Sequence, residues 1–246
     1  MSLVSIIMPY YKKINFIKET YDSIVNQTYQ NYELLIIYDD TDLEEYKNLV
    51  KLTKGNSKVK IIKNNKNIGA GNSRNIGIEK SQGDYLSFID ADDTWNKNKL
   101  AEQIYFMKKN NYLFTFSNYS KKYNNRLIKV NAKDKVNYED ILRSCVIGLS
   151  TVIIKKNIAE KNLFPNIKTQ EDFGAWLKLT RNNNISAYNI GKDLMTWNFH
   201  NNSLSSNYFQ KIKDAFKVFR NYEKFSIMKS IVSLLMLSLN SLKRKI

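Results

Sequence analysis

The sequence predicts an α/β protein: a Rossmann-like, mostly parallel central sheet flanked by helices, with a helical extension at the C-terminus. Three observations predict it. Short apolar runs alternate with segments of helical periodicity through residues 1–110, the pattern of parallel strands joined by crossover helices. The runs are too continuous for half-exposed strands and suit strands buried on both faces. Polar clusters follow each run, and right-handed crossovers gather such carboxyl ends on one edge, where open α/β sheets bind ligands.

The elements read in order. Val4–Met8 is a buried strand stopped by Pro9, and Phe16 to Val25 repeats at helical spacing. Glu33–Tyr38 is a second strand, Leu43–Leu52 a helix, Val59–Ile62 a third strand, Gly71–Glu79 a short helix and Tyr85–Ile89 a fourth strand. If the acidic loop after this strand caps a helix, that helix runs from Lys97 with Asp93 or Thr94 near its start. The second half is less regular: Tyr112–Phe116 and Ser150–Ile154 read as strands, Phe173–Leu179 as a helix, and the chain reads helical from Tyr208 onward. No linker or repeat interrupts it. The division expected is one domain over 1–207, with halves at 1–110 and 111–207, followed by a helical extension over 208–246.

Composition narrows the function classes. Sixteen Tyr, twelve Phe and an apolar fraction of 43% support a packed core rather than disorder. A single cysteine, Cys145, excludes an internal disulfide framework and suits a reducing cytosol. No signal peptide or membrane span is visible, so a cytoplasmic location is expected. The net charge of +16 admits a compositional bias to Lys and Asn, attraction to an anionic membrane surface, or nucleic-acid binding. Charge alone carries no readout, and no nucleic-acid partner is expected.

Four clusters carry candidate chemistry. Asp90-Ala91-Asp92-Asp93 sets three carboxylates after a buried strand, and they repel one another unless something positive sits among them. A hard cation shared with phosphate oxygens satisfies them; an acidic loop capping the next helix is the alternative. Asn67–Asn75 has Gly69 and Gly71, which allow close backbone approach, and Arg74, which can fork onto phosphates. A plain strand-to-helix turn is its alternative. Asp39 and Asp40 can accept a base N–H or a ribose hydroxyl, or simply form a turn. Glu171-Asp172 precedes a helix and offers either a general base or a cap. The only histidine, His200, is a possible metal or phosphate ligand or an ordinary loop residue.

These clusters, in this order, resemble family two of the inverting glycosyltransferases, which have the GT-A fold, and within it the bacterial enzymes of surface-polysaccharide, lipooligosaccharide or teichuronic-type synthesis. The resemblance rests on Val4–Tyr11, Ser23–Tyr29, Arg74–Ile78, Gly83–Asp93 and Glu171-Asp172. It implies roles by position. Pro9, Tyr10, Tyr11 and Asp39 or Asp40 hold the nucleotide base. Gly69, Arg74, Asp90, Ala91 and Asp92 face the donor. Asp92, with Asp90 and His200 as further ligands, binds Mn2+ or Mg2+. Asp172 is the catalytic base, with Glu171 next in line, and Asn202–Ser205 matches a Ser-rich loop over the donor. Thr41-Asp42 stands where the family commonly has Gly-Ser, and Trp197-Asn198-Phe199 lacks a common Arg, which leaves the base-binding aspartate and the role of His200 open.

The function expected is transfer of a sugar from a nucleotide-sugar donor, a UDP-sugar by preference, to a hydroxyl of a glycan or lipid-linked acceptor. Two rivals are a sugar-nucleotide-forming nucleotidyltransferase and a non-catalytic basic binding protein. The first expects a Gly-rich loop after the first strand, where this chain has Pro9-Tyr10-Tyr11-Lys12-Lys13. The second leaves the acidic clusters without a ligand to neutralise them. Residues 226–242 carry apolar side chains at helical spacing (Ile227, Ile231, Leu234, Leu235 and Leu242, with Met228, Val232 and Leu239 alongside), then Lys243-Arg244-Lys245. That segment is expected either to pack on the domain or a second subunit, forming a homodimer, or to lie on the inner face of the membrane.

Overall fold

Strand β1 (Val4–Tyr10) lies between β2 (Tyr32–Tyr38) and β4 (Tyr85–Phe88) and runs parallel to both; β2 continues in parallel to β3 (Val59–Lys63). The computed structural model that gives this arrangement describes residues 2–123, 126–198 and 207–243. Helices α1 (Ile17–Val25), α2 (Leu43–Thr53) and α3 (Ala70–Lys80) follow β1, β2 and β3. All seven residues of β2 are buried, as the unbroken apolar run required.

Beyond β4 the sheet becomes mixed. The short β5 (Thr94–Trp95) precedes α4 (Lys99–Asn110), and β6 (Phe114–Tyr123) forms a hairpin with β7 (Arg126–Val130). Then come β8 (Lys135–Val136), α5 (Tyr138–Arg143), β9 (Ile153–Lys155), α6 (Glu171–Asn183) and β10 (Ala187–Asn198). The main path runs β3-β2-β1-β4-β9-β6-β10-β5, with β9 antiparallel to both β4 and β6 and β10 parallel to β6.

Side chains alternate across the first strands and build two cores. Ile7, Leu35, Ile37 and Phe88 face a cluster with Phe114, Phe164 and Trp176; Ile6, Met8, Leu34 and Ile36 face another with Ile24, Leu49 and Leu100. Helix α3 seats closely on β1, since a Cβ at Gly77 would lie 2.4 Å from Ile7 Cγ2.

Two expectations are corrected here. Thr94 does not cap a helix: Thr94-Trp95 pairs with Met195-Thr196 of β10, and α4 begins only at Lys99 after Asn98. The helical reading from Tyr208 onward is interrupted once. Helix α7 (Tyr208–Lys217) passes into a π-helical turn (Val218–Tyr222), the helix ends, and α8 (Ile227–Lys243) follows. Ala215, Val218 and Phe219 are buried in the same core as Trp176, and buried Asp214 accepts the Thr169 amide at 3.0 Å. Among the described residues no helix is long and apolar enough to cross a membrane.

Candidate active site

The carboxyl ends of β1, β2 and β4 carry the candidate residues to one edge of the sheet. Pro9 and Tyr10 are the last residues of β1, and Tyr11 follows, 43% exposed. Tyr10 is different from Tyr11: its ring is fully buried, stacks on Tyr38 at 5.4 Å, and its hydroxyl donates to Glu45 Oε2 at 2.7 Å. Its side chain therefore belongs to the core rather than to a ligand surface.

The two aspartates after β2 do different work. Asp39 Oδ1 accepts the Ile68 amide at 2.9 Å and the Asn64 side-chain amide at 2.8 Å, and Oδ2 accepts the Gly69 amide at 2.8 Å. It thus pins the turn that starts α3, where Gly69 takes a φ of 86°. Asp40 Oδ1 accepts the Thr41 amide at 2.7 Å, while its Oδ2 is buried with no hydrogen-bond partner. A buried acceptor left open beside a sheet edge is the feature a ligand N–H would satisfy.

Arg74, 3% exposed on α3, joins distant pieces of the chain. Its guanidinium donates to Asp90 Oδ1 at 2.7 Å and to Glu171 Oε1 at 2.8 Å, and lies 5.3 Å from the Phe164 ring. Burial opposes its charge, but Asp90 and Glu171 outweigh burial and keep it protonated. Its Nε is buried without a partner.

The Asp90–Asp93 turn is held from several sides. The Ala91 carbonyl accepts the Thr20 hydroxyl at 3.1 Å, and the Asp92 carbonyl accepts the Asn198 amide at 2.6 Å. Asp90 keeps 42% of its side chain exposed; Asp92 meets Lys13, with Nζ to Oδ2 at 2.5 Å. Asp93 is buried and accepts the Ser150 hydroxyl at 2.5 Å; burial, then Asp90 and Asp92, push its carboxyl well above the usual range. A cleft of about 300 Å³ lies next to the turn, lined by Glu19, Thr94, Lys122, Leu127, Thr196 and Asn198.

These residues fit a hard divalent cation. Among the described residues no three His, Cys, Asp or Glu form a closed cage. The Lys13 ammonium already stands as a cation against Asp92, and Mg2+-type sites need only one or two carboxylates when phosphate oxygens complete the shell. His200 and the Asn202–Ser205 loop fall outside the described residues.

Asp172 is the second residue of α6. Gln170 precedes the helix in a left-handed conformation without a side-chain cap, so the capping alternative applies only locally: Asp172 Oδ1 accepts the Phe173 amide at 2.7 Å. Burial, then neighbouring Glu171, push its carboxyl up to about 7, against the pull of that amide and Arg74.

The profile of Glycosyl transferase family 2 matches residues 5–166. The chain belongs to this family. Among the relatives of this family 2 glycosyltransferase is the UDP-Glc:alpha-D-GlcNAc-diphosphoundecaprenol beta-1,3-glucosyltransferase WfgD of Escherichia coli, 36% identical over 89% of this chain and 86% of that protein. Another is the putative teichuronic acid biosynthesis glycosyltransferase TuaG of Bacillus subtilis (strain 168), 30% identical over 99% and 98% of the two chains. The fold is that of GT-A glycosyltransferases. Staphylococcus aureus TarS 1-349 in complex with UDP-GlcNAc superposes with a TM-score of 0.75 at 18% identity, over 95% of this chain and 70% of that one. The mannosyltransferase PcManGT from Pyrobaculum calidifontis, in complex with GDP-Man and Mn2+, gives 0.70 at 13% identity, over 94% and 69%.

Sequence reasoning missed several residues of this candidate site. Lys13 was legible only as one of two lysines after the first strand, and Ser150 and Asn198 carried no local signal. Ser150 lies in the turn before β9 and Asn198 ends β10, and tertiary folding alone brings both to the Asp turn.

Proposed function

We propose that this family 2 glycosyltransferase moves a sugar from a UDP-sugar to a hydroxyl of a glycan or lipid-linked acceptor, with inversion, in bacterial surface-polysaccharide synthesis. The observation that carries the reading is Asp172: a carboxyl raised to about 7 beside the Arg74–Asp90–Glu171 network. A base poised near neutral pH accepts the acceptor's proton as its oxygen bonds the anomeric carbon and the bond to the donor diphosphate breaks. Arg74 neutralises charge on the diphosphate side, Tyr11 offers its exposed ring to the base, and Asp40 Oδ2 accepts the base N–H. Asp92, with Asp90, would hold Mn2+ or Mg2+, which when bound supplies Lewis-acid charge for the leaving group. The UDP-Glc donor and diphosphoundecaprenol-linked acceptor of WfgD, the UDP-GlcNAc with TarS and the Mn2+ with PcManGT support this choice.

The test is release of free UDP from a UDP-sugar panel, with and without a polyprenyl-diphosphate-sugar acceptor. Acceptor-dependent UDP release that stops with excess chelator and in Asp92→Asn supports the reading. Full activity in chelator sinks the metal part, and formation of a sugar nucleotide from a nucleoside triphosphate would favour the nucleotidyltransferase.

The reaction in this reading occurs at the cytoplasmic face of the membrane, and α8 supports that. It packs through Ser230, Leu234 and Leu237, yet Ile227, Met228, Ile231, Val232, Leu235 and Leu239 are exposed, between 42% and 72%. The helix has no carboxylate, and Lys243-Arg244-Lys245 lie at its C-terminal side, so an isologous dimer through this face repels itself while an anionic bilayer attracts it. Co-sedimentation of the full chain with anionic vesicles, lost in Ile231→Glu/Leu235→Glu, is expected. A concentration-dependent dimer abolished by the same pair would assign the face to a second copy.

A further inference from the structure

Lys13 and Asp92 come from the ends of the adjacent parallel strands β1 and β4. The chain turns after β1 through Lys12, whose φ is 50°, and this sends the Lys13 side chain to Asp92. The pair is sheltered: 29% and 14% of the two side chains are exposed, and the Phe16 ring lies 5.6 Å from the ammonium. Asp90 is meanwhile answered by Arg74. The repulsion that seemed to demand a divalent cation is thus offset by the protein's own cations.

We infer that Lys13 is a resident cation that holds Asp92 until the donor arrives, and so couples divalent-cation binding to donor binding. The inference rests on the reading of Asp92 as the cation-holding carboxylate. An ammonium and a divalent ion on one carboxylate oxygen repel each other, and screening is weak at a sheltered pair. A cation entering the donor-free enzyme meets the Lys13 ammonium, and must either bear its repulsion or displace it and leave its charge unpaired. A nucleoside diphosphate changes both terms. Its oxygens complete the cation's shell and give the displaced ammonium a new anion. Cation and donor favour the same rearranged state, so each tightens the other's binding, reciprocally.

Mn2+ titration of the full-length protein, with and without UDP, tests this. Wild type is expected to bind Mn2+ weakly alone and more tightly with UDP. In Lys13→Met, Mn2+ alone should bind about tenfold more tightly, and the gain from UDP should shrink by a like factor. Lys13→Arg should resemble wild type. Lys12→Met removes the same charge one residue away, and should shift Mn2+ affinity by less than about twofold, because a solvent-facing charge is screened. Thermal unfolding of each variant confirms that it is folded. Equal Mn2+ affinity of wild type and Lys13→Met without UDP overturns the inference, and so does equal tightening in Lys12→Met, which reduces the effect to net charge. No Mn2+ binding to wild type even with UDP overturns the Asp92 reading as well, an outcome distinct from the other two.

Discussion

Arg74 and Glu171 meet at 2.8 Å although 97 residues separate them in the chain. The contact ties α3, which starts at the Gly69 turn, to the first residue of α6, beside the candidate base. Because Arg74 is buried, Arg74→Met leaves Glu171 and Asp90 as unpaired neighbouring carboxylates. Breaking a buried pair costs roughly 3–5 kcal/mol, so the thermal midpoint should fall clearly and UDP binding should be lost. Arg74→Met combined with Glu171→Met should recover part of the stability but not UDP affinity. Recovery of both would reduce Arg74 to a structural role.

Asp172→Asn should retain UDP binding and lose turnover by about 10²–10⁴-fold. In wild type the base must be ionised, so kcat/KM should rise with pH through about 7, and that limb should vanish in the residual activity of the variant. Stability carries the opposite sign. A carboxyl raised in the folded state binds its proton more tightly there than when unfolded, so its contribution is present at low pH and fades as pH climbs from the ordinary carboxylate value of ~4 to about 7. Urea unfolding across that window should show a shallower loss in Asp172→Asn.

Asp39 and Asp40 should separate cleanly. Asp40→Asn replaces the open acceptor and should weaken UDP binding by about ten- to a hundredfold, the range for a lost buried hydrogen bond, with little change in melting. Asp39→Asn disturbs three hydrogen bonds within the fold and should lower the melting temperature first. The reverse ranking, by calorimetry of UDP binding and by thermal unfolding, would exchange their roles.

Lys99 is fully buried, with Ser87 Oγ at 3.4 Å and the Trp95 ring at 4.2 Å as its polar surroundings. Burial pushes its pKa well below the usual lysine value. The unfolded chain therefore binds the extra proton, and stability should rise with pH until the unfolded lysine also titrates, near ~10.4. Lys99→Met removes the buried charge and should raise the melting temperature by about 2–8 °C while flattening this pH dependence. A lower melting temperature would mean that the cation–π contact outweighs desolvation.

The sequence alone determined the frame. Continuous apolar runs such as Glu33–Tyr38 can only be buried on both faces, and strands of that kind alternating with amphipathic helices form a parallel sheet, which gathers Tyr11, Asp40 and Asp90 on one edge. Periodicity lost its grip in the second half. β7 is exposed along most of its length and β10 has no regular alternation, so neither had a pattern to read, and both take their place from pairing with β6. Only the tertiary structure decided which carboxylates are already satisfied. Asp39 and Asp40 are adjacent and chemically identical, yet the Asn64–Gly69 turn donates to the first and leaves one oxygen of the second open. Asp92 likewise depends on a lysine 79 residues away. Burial, partners and pKa are set by atoms that meet only when distant segments pack, and no local pattern of residue types encodes them.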